Sequence, residues 1–287
     1  MKIIFLCILY FFSTQPVAFS ADAEKVVSSI TGISTKLLSV EPVSRDSSCI
    51  LTPQSLLKIR KNGDNAVLID IRSNENFQKV RIPGSINIPL YALKTKDFLK
   101  SKLLVLINEG DGYQMLEREC EKLKKLGFQS IYILYGGLNY WNDVDGSLEG
   151  DFFAIESISD IEPAGYFVDR NYDDWLVIDV SKSEGKMAGN IIPGRKTIPY
   201  SKNNEFFLSN IEKVISAHDN PLLKYILIVN EDGRGYGQLK QIIKNDKKIK
   251  NVFFLIGGLA EYKTFLQNQT AAGNQRKKTI KKCNTCP

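Results

Sequence analysis

The stretch "LLVLINEGDGYQMLEREC", Leu103–Cys120, decides the fold. Leu103–Ile107 is a short apolar run that predicts a buried strand. A glycine-bearing turn follows, then a helix on which Leu116, Cys120 and Leu123 recur at helical spacing. Strand, tight loop and helix N-terminus together form an anion cradle, because backbone N–H groups and the positive helix end converge there. This loop nevertheless carries Glu109 and Asp111 and no basic residue. A cradle for anions lined with carboxylates is the contradiction to resolve.

The same pattern occurs twice. "AVLIDIR" (66–72) is matched by "WLVIDVS" (175–181), and "RIPGSINIPL" (81–90) by "IIPGRKTIPY" (191–200). "LLVLINEGDGY" (103–113) is matched by "YILIVNEDGRGY" (225–236), and "SIYILYGGLNYW" (130–141) by "NVFFLIGGLAEY" (251–262). Four blocks in one order indicate a duplication. In each copy strand runs alternate with helical segments, which predicts an α/β fold of two units, each a mainly parallel sheet flanked by helices. Gly127, followed by Phe128, is placed as a helix C-cap. The first domain is expected over 49–142, a polar linker over 143–152, and the second domain over 153–268.

Chain length suits about two domains, and the composition is globular. Residues 1–20 have an early lysine, a short apolar core and small residues Ala18 and Ser20, as in a signal peptide cleaved before Ala21. The expected location is therefore periplasmic or secreted, with no stable membrane anchor after cleavage. Lys2 and the five basic residues beyond Gln269 account for the whole net charge of +6, so the body is neutral. That distribution argues against a nucleic-acid-binding face. The expected partner is a protein or small molecule in the exported compartment, and no cofactor is expected.

Four cysteines remain beyond the leader: Cys49, Cys120, Cys283 and Cys286. In an oxidising compartment a nearby pair tends to form a disulfide. Cys120 reads as a buried, inert thiol, and Cys49 has no assigned role. The single histidine, His218, sits in the turn-like "AHDNP", which leaves little material for His-based catalysis.

The order "LIDIR", "IPGSINIP", strand–glycine loop–helix and "LGFQSIYILYGGLNYW" resembles the rhodanese domain, and the second copy resembles another. The second copy departs most in "KSEGKMAGNIIPG". The glycine-histidine usual before IPG is absent there, and the first copy has Val80-Arg81 at that place. The resemblance implies a persulfide-forming cysteine at the start of each cradle loop, its pKa lowered by N–H donors. Asn108 or Glu109 stands at that position in the first loop (Asn108, Glu109, Gly110, Asp111, Gly112). Asn230 or Glu231 stands there in the second (Asn230, Glu231, Asp232, Gly233, Arg234, Gly235). Neither loop contains cysteine, so ordinary sulfur transfer, or the phosphatase chemistry of related domains, has no nucleophile. Two readings of the acids compete. They satisfy the loop N–H groups and helix dipole themselves, as an N-cap does, or Glu109, Asp111, Glu231 and Asp232 recognise a cation or basic peptide.

The segment 269–287 is polar and basic, reads as a flexible tail, and ends in Cys283-Asn-Thr-Cys286. The pair is open to four readings: a local disulfide, a redox dithiol favoured by Lys281 and Lys282, a soft-metal site, or a sulfur-carrier arm similar to those of sulfur-oxidising systems. Such an arm would set Cys283 or Cys286 into either emptied cradle. The leading functional expectation is a binding or regulatory module, and the alternative is a sulfur relay through the tail cysteines.

Overall fold

The structure is a computed structural model that describes residues 21–38, 47–63, 65–144, 146–171, 175–182, 191–201, 203–218 and 224–283. The expected leader lies outside these residues. The first unit contains strands β1 (Ile50–Leu51), β2 (Ala66–Asp70), β3 (Val80–Arg81), β4 (Ile86–Asn87), β5 (Leu103–Ile107) and β6 (Ser130–Leu134). β7 (Glu149–Gly150) follows, and the second unit adds β8 (Asp160–Ile161), β9 (Trp175–Asp179), β10 (Lys196–Thr197), β11 (Tyr225–Val229) and β12 (Val252–Leu255). The helices of the first half are α1 (Ala21–Thr31), α2 (Thr35–Leu38), α3 (Pro53–Lys61), α4 (Asn74–Lys79), α5 (Leu90–Leu93), α6 (Tyr113–Lys125) and α7 (Gly137–Asp143). Those of the second half are α8 (Phe152–Glu156), α9 (Pro163–Asp169), α10 (Asn204–Ser216), α11 (Tyr236–Lys244) and α12 (Gly258–Cys283).

Two parallel five-stranded sheets result, ordered β1-β6-β5-β2-β4 and β8-β12-β11-β9-β10. Each strand of the first has its counterpart at the same place in the second, as the duplication predicted. Buried apolar runs such as Leu104–Ile107 and Tyr225–Val229 form the centres, covered on both faces as parallel sheets require. Helix starts follow local capping. Thr52 Oγ1 accepts from Ser55 N–H ahead of Pro53, and Asn203 Oδ1 accepts from Phe206 N–H. Leu116, Cys120 and Leu123 are buried on α6, and Gly127 (φ 96°) lets Phe128 N–H reach Leu123 O at 3.1 Å.

The two units share a core. Tyr113, Tyr135 and Tyr140 of the first pack in one cluster with Trp175, Tyr225 and Phe253 of the second. The Tyr135 and Tyr225 rings lie 4.9 Å apart. Asn139 Nδ2 donates to Val252 O at 3.0 Å, and Asn251 N–H donates to Asp143 Oδ2 at 2.7 Å.

Three sequence expectations change here. The expected linker is structured: β7 pairs antiparallel with β3, and Asp151 caps α8. Ala154, Ile155 and Ile158 then pack into the first unit's core, which carries that unit beyond residue 152. The segment from 269 is not a free tail, because α12 runs on to Cys283. Its Lys, Gln, Ala and Arg residues are good helix formers once a packed helix precedes them. Thr270 Oγ1 accepts from Ser34 N–H at 3.0 Å and Gln267 Nε2 donates to Thr31 O at 2.7 Å, tying α12 to the α1–α2 arm. Finally, Cys120 is no free thiol. Cys49, in the turn just before β1, is disulfide-bonded to it, with both residues fully buried. β1 lies beside β6, and α6 packs on β6, so the two cysteines are brought together by the parallel sheet itself.

Candidate functional site

Both cradle loops leave the carboxyl end of a central strand, where ligand crevices form in α/β sheets. Their registers are now fixed. Leu138 N–H donates to Asn108 O and Asn139 N–H to Glu109 O, while Leu259 N–H donates to Asn230 O and Ala260 N–H to Glu231 O. Asn108 thus corresponds to Asn230 and Glu109 to Glu231, and the extra residue of the second loop falls among Asp232–Arg234.

The first loop is enclosed by the second unit. At Gly110 (φ 131°) an added Cβ would lie 2.4 Å from Gly136 O and 2.9 Å from Phe253 Cζ. Asp111 faces α9, where a Cβ on Gly165 would meet its Oδ2 at 2.4 Å. Glu109 accepts from Asn76 Nδ2 at 3.1 Å. Burial pushes its carboxyl up, against the pull of the Arg72 guanidinium, and burial raises Asp111 likewise.

Neither acid caps α6. Its N-cap is Gly112 in the left-handed region (φ 68°), without a side-chain cap. The cap comes from the other unit: Asp169, at the end of α9, accepts from Tyr113 N–H at 2.6 Å and Gln114 N–H at 3.3 Å. Asp169 is 2% exposed, and burial pushes its carboxyl to about 6, opposed by these N–H groups and assisted by the Asp111 charge. The expectation that the first loop's own carboxylates satisfy the helix end is therefore overturned. Loop register alone could not reveal a ligand donated by a residue of another element more than fifty positions away.

Among the described residues the second loop has no such cover. Asn230 Oδ1 accepts from Gly233 N–H at 2.6 Å, Asn230 Nδ2 donates to Arg234 O at 2.7 Å, and Asp232 Oδ1 accepts from Arg234 N–H at 3.0 Å. Here the loop does satisfy its own N–H groups. Glu231 and Asp232 are exposed, and Asp232 sits 3.5 Å from Arg234 Nε. Gly235 (φ 77°) is the N-cap of α11, again without a side-chain cap. A cleft of about 370 Å³ lies against it, bordered by Ser181, Lys182, Tyr200, the loop and Gln238. The corresponding hollow in the first unit, about 600 Å³ beside Arg72, Tyr91 and Met115, does not reach residues 108–112.

A buried ion pair supports each loop. Asp70 accepts from Arg72 Nε at 2.9 Å and from Nη2 at 2.7 Å. In the second unit Ser181 replaces Arg72, and Arg195 Nε reaches the matching Asp179 at 3.1 Å from the IPG turn. Sequence reasoning missed this exchange, although the repeat displays it: "IDIR" against "IDVS" and "IPGS" against "IPGR".

His218 is exposed beyond α10. The side chain of Cys283, and Cys286 altogether, lie outside the described residues. Docking of either thiol into the first cradle meets an obstacle, since Asp169 already holds the α6 N-terminus. Among the described residues no group of three or more His, Cys, Asp or Glu is placed to hold a metal, and no helix is long and apolar enough to cross a membrane.

Residues 52–143 match the family described as Rhodanese-like domain. The chain is 34% identical over 79 residues to the adenylyltransferase and sulfurtransferase uba4 of Ogataea parapolymorpha, covering 26% of this chain and 20% of that protein. It is 35% identical over 85 residues to protein BU052 of Buchnera aphidicola, covering 28% of this chain and 58% of that one. The chain thus spans from a fifth to under two thirds of the relatives' lengths. A thiosulfate sulfurtransferase structure from Pseudomonas aeruginosa aligns over 73% of this chain and 41% of its own, at 17% identity and a TM-score of 0.32. The parallel sheet that holds β1 and β6, and its strand–loop–helix crevice, agree with that match: residues 52–143 are a rhodanese-like domain.

Proposed function

We propose that the chain is an exported tandem rhodanese-like protein whose second unit is also a rhodanese-like domain, and that it works as a binding module rather than a cysteine-dependent sulfurtransferase. The observation that carries this is the state of the two cradles. Neither loop holds a thiol, and one helix N-terminus is already occupied by a carboxylate of the same chain. The matching strand orders and the matching Asn108 and Asn230 tethers support a second domain of the same kind. The buried Cys49–Cys120 disulfide supports export, since such bonds persist in oxidising compartments. In this reading the competent surface is the open cleft of the second unit. The named activity of the sulfurtransferase relatives does not transfer, because an amide or a carboxylate cannot carry a sulfane sulfur.

The test is thiosulfate-to-cyanide sulfur transfer by the chain from Ala21 onward, with and without Cys283→Ser/Cys286→Ser. Background turnover in both proteins is the expected result. Turnover surviving the double substitution overturns the reading, and turnover lost with it installs the sulfur relay instead.

A further inference from the structure

The two units meet end to end. Tyr135, just past the carboxyl end of β6, lies 4.9 Å ring to ring from Tyr225, the first residue of β11. Tyr225 stacks in turn on Trp175, the first residue of β9. The carboxyl end of the first sheet thus meets the amino end of the second. That contact does not use the amino end of the first sheet, nor the carboxyl end of the second, where its cleft lies.

The repeat shows how differently the two amino ends are built. Trp175 and Tyr225, which seat the second unit, correspond to Ala66 and Leu103 in the first. Where the second unit has aromatic rings, the first presents charge. The pairings Ala66–Leu103 and Leu103–Ser130 set three segments side by side here: the end of α3, the turn before β5 and the end of α6. Gln129 N–H donates to Lys100 O at 3.0 Å, and a Cβ on Gly127 would lie 3.7 Å from Lys100 Cδ, so the last two are in contact. Each segment carries one exposed lysine, Lys61, Lys102 and Lys125, without a carboxylate partner among the described residues. Three more are engaged: Lys100 with Asp97 at 2.8 Å, Lys122 with Glu119 at 2.6 Å, and Lys124 Nζ with Ser48 O at 3.0 Å. The acids of these segments are only Asp64, Asp97 and Glu121, so positive charge collects at this end of a body that is neutral as a whole.

Lysines in a last helical turn complement the helix dipole, which accounts for Lys61 and those of α6. It does not account for Lys102, which precedes a strand, nor for two large apolar side chains beside it. Phe98 is 71% exposed and Leu126 is 47% exposed, two residues and one residue from the Lys100–Gly127 contact. Apolar tips standing among cations match a surface that is anionic outside and apolar within. A soluble polyanion would engage the lysines and leave the tips in water. A second copy stacked beneath would need the aromatic seat that Ala66 and Leu103 do not provide.

We infer that the amino end of the first sheet rests on an anionic phospholipid surface, its lysines among the headgroups and Phe98 and Leu126 at the acyl boundary. The cleft of the second unit is then held on the side away from the bilayer. This is a peripheral contact, separate from the leader and from whatever either cradle does.

The experiment is co-sedimentation of the chain from Ala21 onward with vesicles of equal parts phosphatidylglycerol and phosphatidylcholine, against vesicles of phosphatidylcholine alone. Binding to the anionic vesicles only is expected, and its loss as salt rises toward about 1 M, where the screening length is about 3 Å. One lysine near such a surface contributes about five-fold in affinity, so Lys61→Gln/Lys102→Gln/Lys125→Gln should weaken binding about a hundred-fold. All three side chains are exposed, which keeps the fold out of the comparison, and Lys196→Gln on exposed β10 should leave binding unchanged. Phe98→Ser should weaken it about ten-fold, the loss of a partly buried aromatic ring. Wild-type affinity in the lysine variant, equal binding to both vesicles, or no binding to either overturns the inference. Indifference to Phe98→Ser together with lysine-dependent retention on heparin overturns it in favour of a soluble polyanion. Dimerisation in sedimentation velocity that the lysine variant loses overturns it in favour of a second copy.

Discussion

Replacing Asp169 tests whether the second unit really caps the first. Its carboxylate accepts two backbone N–H groups in a place that is 2% exposed. Removing the acceptor leaves both N–H groups buried and unmatched, so Asp169→Ala should cost about 2–4 kcal/mol. The pH dependence is more telling. The folded carboxyl sits at about 6, against about 3.9 in an unfolded chain. Because the folded value is the higher, the native state keeps a proton over that interval which the unfolded state has lost. The group's contribution is most favourable below about pH 4 and is eroded as pH rises through 6, by about 3 kcal/mol in all.

Asp143 makes the reciprocal contact, accepting from Asn251 N–H, and burial pushes it to about 6 as well. Wild type therefore loses stability from both carboxyls between about pH 4 and pH 7, and Asp169→Asn removes one of them. The difference between wild type and Asp169→Asn should shift by about 3 kcal/mol across that range, in the variant's favour at the higher pH. Urea unfolding followed by the fluorescence of Trp141 and Trp175 measures it, one indole in the first core and one at the shared aromatic cluster. An alanine variant within about 0.5 kcal/mol of wild type, or an asparagine variant that parallels the wild-type pH profile, would refute the assignment.

Other substitutions probe the remaining structure. A crosslink between residues 71 positions apart contributes roughly 4 kcal/mol in the chain-entropy picture, so Cys49→Ala/Cys120→Ala should lower unfolding free energy by that order; a loss under about 1 kcal/mol would mean the bond is absent or strongly compensated. Arg195→Ala strands Asp179, 1% exposed, without its cation and should cost about 3–5 kcal/mol in urea unfolding, while a near-neutral result would show that the Arg72 role has not passed to Arg195. Gly110→Ala, whose Cβ would collide with Gly136 O and Phe253, should cost more than about 2 kcal/mol. Gly63→Ala, equally left-handed at φ 80° but in open space, should cost only about 1 kcal/mol, and equal losses would remove the argument that unit two presses on the first loop.

Much of this architecture is legible in the sequence because it is local or repeated. Apolar runs of strand length, the Gly127–Phe128 stop and the doubled IPG and GG motifs each act over a few residues, and the order of the blocks implies the sheets. What escaped notice depends on distance across the fold. Nothing near Cys49 signals Cys120, because only β1 pairing beside β6 joins them. Asp169 reads as one more helical acid until α9 is laid against the first loop. The helical run to Cys283 escaped for another reason. Composition alone suggested a mobile tail, whereas contacts of Gln267 and Thr270 with the α1–α2 arm extend a helix that local polarity would not sustain.

The acids in the cradle loops now have separate explanations, and the separation follows from how the two units meet. The mouth of the first unit is the surface on which the second one packs, so its loop had to accept Phe253, α9 and the carboxylate of Asp169. A persulfide cysteine there would be shut off from any donor, and Glu109 and Asp111 are held instead by burial, Asn76 and the Arg72 charge. No such cover lies on the second mouth among the described residues. Its acids remain at the surface, its ion pair is made by Arg195, and Ser181, at the position of Arg72, is buried at the border of the cleft. The rebuilt ion pair and the missing cover, more than the absent thiol, are what distinguish the second mouth from the first.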